Sequence, residues 1–168
     1  MKILALDSSG LVASVALVED DNMLGEYTVN YKKTHSQTLL PMLDEISNMT
    51  ELDLSTIDAI AVAGGPGSFT GLRIGSATAK GLGLALEKPL ISIPTTAAIA
   101  YNIWDTDKFV CPIMDARRNQ VYTGVYCYTD HRLDTVWEQD TMSIEALAEG
   151  LNCLDPVSYT HLRAHETP

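Results

Sequence analysis

The sequence predicts an α/β protein of two lobes, each of which begins with the same kind of β-hairpin. Short apolar runs of strand length alternate with segments in which apolar residues recur at helical spacing. The first apolar run, Ile3 to Asp7, ends in a carboxylate and a Ser-Ser-Gly turn, and a second β-rich run follows from Val12 to Val18. A similar strand–Asp–turn–strand unit surrounds Asp115, which indicates a weak internal duplication.

The first predicted lobe covers residues 1–104 and contains five strands, two long helices and one short helix. Thr34 or Ser36 is a candidate cap for the first helix, and Pro41 should kink this helix or place its regular part downstream. The strands are predicted at residues 3–7, 12–18, 23–31, 57–63 and 89–93, and the helices at 34–49, from the glycine-rich segment to about 86, and from a cap at Thr95 or Thr96 to about 104.

The second predicted lobe covers residues 105–155 and is incomplete, so we expect an open sheet edge and loosely held residues after about Asp105. The last residues, 156–168, resemble peptide made when sequencing-adapter DNA is translated in frame, and we treat them as a probable non-native tail. His161 and His165 in this tail have the spacing of a helical metal pair but lack its structural context. Strands are predicted at 109–114, 120–128 and 132–139, and a helix at 143–151.

The composition excludes several classes of protein. The chain has 168 residues, 46% of them hydrophobic, so it can bury a core, and no apolar run approaches the roughly 18 residues that span a bilayer. Three widely spaced cysteines fit neither a disulfide framework nor a metal cluster, and they favour a cytoplasmic location. A net charge of −11 repels phosphate backbones, so the chain is a better electrostatic match for a basic protein than for nucleic acid.

The turn after the first strand is a candidate nucleotide site. In phosphate-binding hairpins a carboxylate faces the metal, and small residues let backbone N–H groups approach the phosphates. Asp7, Ser8 and Ser9 have this pattern, and Asp115 occupies the corresponding place in the second hairpin. The alternative is an ordinary β-turn, because Asp, Ser and Gly are common turn residues.

The segment Gly64 to Gly75 joins a predicted strand to a helix and contains five glycines. Such a segment can bind an anion at the helix N-terminus, or it can be a tight turn only; it has neither the Walker A nor the Rossmann spacing. In the helix, the small residues Gly71, Gly75, Ala79 and Gly83 recur every four positions. This small-residue stripe allows close packing, either against the lobe's own sheet or against a partner's helix.

Several segments together resemble the TsaB (YeaZ) family. They are ILALDSS near the start, HSQTLLPML, AVAGGPGSFTGLRIGSATAKGLGLAL, PLISIPTT and IMDARRNQVY, and the resemblance covers residues 1 to about 154. It implies an actin-like (ASKHA, ribonuclease H-like) two-lobe fold with a truncated second lobe. It also implies a non-catalytic dimerisation subunit for threonylcarbamoyladenosine (t6A) modification of tRNA, which pairs with the catalytic paralogue TsaD and with the ATPase TsaE.

The resemblance further implies where chemistry and contacts lie. ATP and a metal are expected in the partner subunits and no cofactor or metal in this one, because Thr95 and Ile99 stand where TsaD has its metal-binding histidine pair. Contact with tRNA is expected to be indirect, and a homodimer is possible in isolation. The partner interface is implied on the first helix and the glycine-rich helix, at His35, Leu39, Leu43, Gly71, Gly75, Ala79 and Gly83. The alternative is a nucleotide-dependent enzyme of the same fold, kinase-like or glycoprotease-like, that uses Asp7, Asp115 and the glycine loop.

Overall fold

The computed structural model describes residues 1–30, 35–154 and 160–163. Its internal contacts divide the chain into two units, Met1–Ile93 and Pro94–Pro168. Among the described residues, no helix is long and apolar enough to cross a membrane.

Unit 1 is a five-stranded sheet covered by two helices. The sheet has the order β3-β2-β1-β4-β5; β1 pairs antiparallel with β2 and parallel with β4, and β2 pairs antiparallel with β3. A short 3-10 helix, Leu54–Thr56, precedes β4. The elements are β1 (Lys2–Asp7), β2 (Ala13–Glu19), β3 (Asn22–Val29), α1 (His35–Met49), β4 (Ala59–Gly65), α2 (Phe69–Leu86) and β5 (Leu90–Pro94).

The core of unit 1 follows from the periodicity of its elements. Leu4 and Leu6 on β1 alternate with half-buried residues, as expected for one buried face of a strand. On α1 the buried residues recur at helical spacing and join the same core; they are Leu39, Met42, Leu43 and Ile46. The helix starts at His35 and continues through Pro41, so its regular part is not shifted downstream. Ser36 is already a helical residue, and Thr34, the other candidate cap, lies outside the described residues.

Unit 2 is a four-stranded sheet with two helices, of which α3 precedes β6 and α4 lies between β8 and β9 in the sequence. The sheet has the order β8-β7-β6-β9, in which β6 pairs antiparallel with β7 and parallel with β9. Its core contains two clusters, one around Cys111, Val125 and Leu147 and one around Val110 and Tyr126. The elements are α3 (Thr95–Ala100), β6 (Val110–Arg117), β7 (Gln120–Thr129), β8 (Arg132–Ser143), α4 (Ile144–Asn152) and β9 (Thr160–Arg163).

Three features of unit 2 differ from the expectations. The contacts divide the chain between Ile93 and Pro94 rather than between residues 104 and 105, because α3 packs on β6 and β7. Neither Thr95 nor Thr96 caps α3; they are its first two residues, both are buried, and the helix has no side-chain cap. The tail set aside from the fold contributes β9, which pairs parallel with β6, so a strand from this tail forms one edge of the sheet.

Candidate functional site

The turn between β1 and β2 is closed by its own carboxylate. Asp7 pairs with Ser14 across the hairpin, and Asp7 Oδ1 accepts a hydrogen bond from the backbone N–H of Ser9 at 2.7 Å. This bond, from an Asp side chain to the backbone two residues on, is an Asx turn. The N–H of Ser9 is therefore already used, although it is one of the groups that a phosphate at this turn would require.

The two serines of the turn are buried beneath the start of α2. Ser8 and Ser9 are only 2% and 4% exposed. The Ser8 hydroxyl donates to the Gly71 carbonyl at 2.9 Å, and the Ser9 carbonyl accepts from the Ser68 N–H at 2.6 Å. Ser68 also caps α2, since its hydroxyl accepts from the Gly71 N–H at 3.2 Å. The hairpin tip and the glycine-rich segment thus satisfy each other's polar groups.

Glycine is required where the hairpin tip meets α2. A Cβ on Gly71 would lie 2.0 Å from the Ser8 carbonyl oxygen, and a Cβ on Gly75 would lie 2.4 Å from Ser8 Oγ. Gly67, with φ of +156°, approaches Ser9 in the same way, at 2.4 Å from its carbonyl oxygen. No real Cβ makes contacts this short, so any larger residue would push the hairpin tip away from the helix.

The small-residue stripe therefore faces the unit's own sheet. Gly71 and Gly75 contact the hairpin tip, Ala79 is fully buried in the core, and a Cβ on Gly83 would meet Leu90 on β5 at 2.8 Å. The prediction that these four residues form a partner interface is therefore corrected, because they pack inside unit 1. The same correction applies to Leu39 and Leu43, which are 1% and 5% exposed in the core of unit 1. Spacing revealed the stripe, but spacing alone could not reveal which structure it packs against.

His35 is the seventh residue that the resemblance placed at the interface, and its contacts are also internal. The ring Nε2 lies 2.9 Å from the Gly10 carbonyl oxygen. A carbonyl oxygen can only accept a hydrogen bond, so Nε2 carries a hydrogen and donates it to this oxygen. The ring also lies beside Gly71, where a Cβ would be 3.2 Å from His35 Cδ2. The histidine therefore ties the start of α1 to the hairpin tip.

The outer face of the two helices carries exposed apolar side chains that the sequence analysis did not single out. Leu40 on α1 is 54% exposed, and Phe69 and Leu84 on α2 are 74% and 84% exposed. The guanidinium of Arg73 lies 5.4 Å from the centre of the Phe69 ring, within range of a cation–π contact. We call these four residues the outer helix face. Phe69 and Leu84 were identifiable in principle, because they are large apolar residues outside the small-residue stripe of α2. Leu40 was not, because its spacing groups it with the buried Leu39 and Leu43.

The second hairpin repeats the closure seen in the first. Asp115 Oδ1 accepts from the backbone N–H of Arg117 at 2.7 Å, the same bond at the same spacing as that of Asp7. Arg117, Arg118 and Asn119 have φ of 65°, 52° and 63°, and two central residues of positive φ are typical of a type I′ hairpin turn. Asp7 and Asp115 belong to different units, and each carboxylate binds its own turn.

Thr95 and Ile99, the positions compared with a histidine pair, provide no metal ligands. The Thr95 hydroxyl is buried without a hydrogen-bond partner among the described residues. The neighbouring Thr96 hydroxyl donates to Gln139 Oε1 at 3.0 Å and accepts from the Tyr126 hydroxyl at 2.7 Å, and burial raises the pKa of Tyr126. Within residues 1–30, 35–154 and 160–163, no three His, Cys, Asp or Glu side chains lie together as a possible metal site.

Comparisons with known proteins identify the family. The model of the family described as "TsaD: tRNA N6-adenosine threonylcarbamoyltransferase" matches residues 22–159, which is more than half of the chain. The chain is 38% identical over 136 residues to "tRNA threonylcarbamoyladenosine biosynthesis protein TsaB" of Bacillus subtilis and 37% identical over 128 residues to the protein of the same name from Escherichia coli. These alignments cover 81% and 75% of this chain but only 59% and 55% of the two relatives.

A solved structure agrees with this result. "YeaZ from Pseudomonas aeruginosa" superposes with a TM-score of 0.75 at 32% identity, covering 84% of this chain and 67% of that one. The chain therefore belongs to the family described as "TsaD: tRNA N6-adenosine threonylcarbamoyltransferase", together with the TsaB (YeaZ) proteins, and has their actin-like α/β fold.

Proposed function

We propose that this chain is a non-catalytic partner subunit in the synthesis of t6A on tRNA and that it pairs with a catalytic TsaD paralogue and a TsaE ATPase. The observation that carries this proposal is the internal closure of both hairpin tips, where Asp7 and Asp115 each bind the N–H of their own turn. The relatives named as t6A biosynthesis proteins support the pathway. The alternative is a nucleotide-dependent enzyme of the same fold.

The closed tips argue against nucleotide chemistry in this subunit. A phosphate held at the first hairpin would need backbone N–H groups that point outward and a carboxylate free to face a metal. Here the Ser9 N–H is donated to Asp7, and the Ser8 hydroxyl is donated to Gly71. Opening the site would break both bonds in a buried environment, at about 1–3 kcal/mol for each group left without a partner. ATP and metal are therefore assigned to the partner subunits.

The charge of the chain bears on its contact with tRNA. With a net charge of −11, the surface repels a phosphate backbone on average. We therefore assign contact with tRNA to the partners, with this chain as a cytoplasmic scaffold that binds them. A basic partner would also be attracted electrostatically, and such attraction raises the rate of association.

The partner surface is assigned to the outer helix face of α1 and α2. The inner faces of both helices are filled by the core of unit 1, so only their outer faces can meet another protein. Leu84 and Phe69 are the most exposed apolar residues there, and aromatic and Arg side chains such as Phe69 and Arg73 are enriched at interfaces. The 18 residues of α2 include two cations, Arg73 and Lys80, and no acid.

Co-purification with a tagged TsaD paralogue tests this assignment. Phe69→Asp and Leu84→Asp should reduce recovery of the complex at least about tenfold, since each places a charge in an apolar contact. Met23→Asp is the matched control, because Met23 is 62% exposed and lies on the edge strand β3 rather than on either helix. If the helix variants keep full recovery while Met23→Asp loses it, the interface lies on the sheet edge instead.

Two further experiments test the role of the subunit. Expression of the chain in a bacterium depleted of its own TsaB should restore t6A in tRNA, measured by mass spectrometry of digested nucleosides. Calorimetry with ATP and Mg²⁺ on the isolated chain should give no binding tighter than about 100 μM, which is roughly 5.5 kcal/mol. Tighter binding that disappears in Asp7→Ala would favour the nucleotide-dependent enzyme.

A further inference from the structure

Three aromatic side chains form an exposed cluster in unit 2. Tyr101 and Trp104, which follow α3, stack with ring centres 5.9 Å apart and planes 20° apart. Tyr128, near the end of β7, meets both rings edge-on, at 6.1 Å from Tyr101 and 5.3 Å from Trp104. We call these three residues the aromatic platform. Because each ring contacts the other two, the platform is held in place without a partner.

The platform is exposed although it is large and aromatic. Trp104 is 59% exposed and Tyr101 is 50% exposed, while neighbouring residues such as Ala100 and Val110 are fully buried. Trp and Tyr are the residues most enriched at the energetic centres of protein interfaces. Their exposure makes the platform a candidate binding surface.

Polar groups beside the rings specify the charge of the partner. The Tyr128 hydroxyl oxygen is buried and has no hydrogen-bond partner among the described residues. Burial raises the pKa of Tyr128, and the nearby Tyr101 hydroxyl and Asp105 carboxylate raise it further. Asp105 Oδ2 lies 2.5 Å from His131 Nδ1, and this pair ties the platform's loop to the turn between β7 and β8. The platform thus combines exposed aromatic faces with a nearby carboxylate, and both attract a cation.

The surrounding sequence is acidic. The two segments that carry the platform, residues 101–109 and 128–134, contain four aspartates and only two residues that are always cationic. They are Asp105, Asp107, Asp130 and Asp134, against Lys108 and Arg132. The stacking of bases on aromatic rings requires a positive groove for the phosphate backbone, and these segments supply the opposite charge. Charge complementarity therefore favours a cationic ligand over nucleic acid.

We propose that the aromatic platform is a docking site for an arginine-bearing basic segment of a partner protein. Arginine is preferred to lysine because its planar guanidinium stacks on aromatic rings while its N–H groups reach the Asp105 carboxylate. This site lies in unit 2, whereas the outer helix face lies in unit 1, and its argument uses none of the residues proposed for pairing with TsaD. The two proposals can therefore fail separately.

Isothermal calorimetry with acetyl-pentaarginine amide on the full chain tests this proposal. We expect binding at low salt that weakens about tenfold in Trp104→Ala, since a cation–π contact and its stacking area are lost. Asp105→Asn should also weaken binding, and Trp104→Phe should retain most of it. Tyr27→Ala is the matched control, because Tyr27 is an aromatic residue that is 39% exposed on β3 of unit 1 and should leave peptide affinity unchanged. Trp104 and Tyr101 are both exposed, so replacing either with alanine should leave the circular dichroism spectrum the same as that of the parent chain.

Other results would overturn the proposal. If Trp104→Ala and Tyr101→Ala bind pentaarginine within about twofold of the parent chain, the peptide is held by general negative charge and not by the platform. Equal affinity for pentalysine would remove the argument for guanidinium stacking. Direct binding of a decathymidine oligonucleotide that is lost in Trp104→Ala would assign the platform to nucleic acid. A dimer in sedimentation experiments that dissociates in Trp104→Ala would assign the platform to a second copy of the chain.

Discussion

Replacing Gly75 with alanine tests whether the small-residue stripe exists to hold the hairpin tip. Gly75 and Gly81 both lie in the interior of α2, but their surroundings differ. A Cβ on Gly75 would lie 2.4 Å from Ser8 Oγ, whereas a Cβ on Gly81 would have no atom within 4 Å. Gly81→Ala is therefore a control that carries the change in helix propensity without the contact.

The expected magnitudes can be worked out from these contacts. In Gly81→Ala the helix should gain about 1 kcal/mol in the free energy of unfolding, because alanine is the better helix former. In Gly75→Ala the same gain is opposed by displacement of the Ser8 hydroxyl, which loses its 2.9 Å bond to the Gly71 carbonyl. A buried group left without its partner and an overpacked site each cost about 1–3 kcal/mol, and together they exceed the gain, so we expect a net loss of about 1–5 kcal/mol.

A double mutant makes the test specific to Ser8. In a Ser8→Ala background the atoms nearest to a Cβ on Gly75 are the Cβ of residue 8 and Val62 Cγ2, both at 3.7 Å, an ordinary contact. Gly75→Ala should then stabilise the protein by up to about 1 kcal/mol, as Gly81→Ala does. The sign of the effect therefore reverses, with a coupling energy of about 2–6 kcal/mol between the two positions.

Hydrogen exchange of the β4 amides, read by mass spectrometry, measures these values in unit 1 alone. Tryptophan fluorescence would not, because the two tryptophans, Trp104 and Trp137, both belong to unit 2. The reasoning is refuted if Gly75→Ala and Gly81→Ala are equally stabilising, or if Ser8→Ala leaves the effect of Gly75→Ala unchanged. Either result would mean that the hairpin tip does not rest on this glycine.

Three other predictions concern separate parts of the molecule. The pKa of Asp53 is lowered because its carboxylate accepts a hydrogen bond from the Ser55 N–H. The contribution of Asp53 to stability is therefore present above the ordinary pKa of 3.8 and is lost as the pH falls below that value. Asp53→Asn should make the free energy of unfolding, measured by urea titration, depend less on pH in this acidic range. Native alkylation followed by mass spectrometry should label exposed Cys153 first and buried Cys111 last, because burial raises the pKa of Cys111 and blocks access. Ending the chain after Leu154 removes β9 and should lower the urea midpoint seen by tryptophan fluorescence without changing exchange in β4; an unchanged midpoint would mean that β9 contributes nothing to unit 2.

Periodicity predicted most of the secondary structure. The alternating apolar residues of β7 and the helical spacing of apolar residues in α1 predicted a strand and a helix, and both elements are found at those positions. The duplication was also detectable, because Asp7 and Asp115 each follow an apolar strand and precede a turn. The sequence did not show that both carboxylates close their own turns, because the same residues suit a phosphate site and an Asx turn. Only the distances to Ser9 and Arg117 distinguish these two structures.

Other features depend on contacts that spacing does not encode. The boundary between the units was misplaced because a six-residue helix such as α3 has too few residues to show which lobe it packs on. The stripe from Gly71 to Gly83 could have faced a partner or the sheet, and both require small residues. The exposed residues Phe69 and Leu84 were overlooked for the opposite reason, since an apolar residue in a helix is ordinarily counted as core.

The correction of the stripe changes how α2 serves the proposed complex. Had Gly71, Gly75 and Ala79 formed the partner surface, their mutation would report directly on partner binding. Because they hold the hairpin tip, such mutations instead disturb unit 1 itself, and loss of the complex would follow from loss of structure. A variant such as Leu84→Asp avoids this ambiguity, since its side chain is 84% exposed and contributes little to the core. Binding and stability can therefore be separated on a single helix, with the inner face governing the fold and the outer face governing the partner.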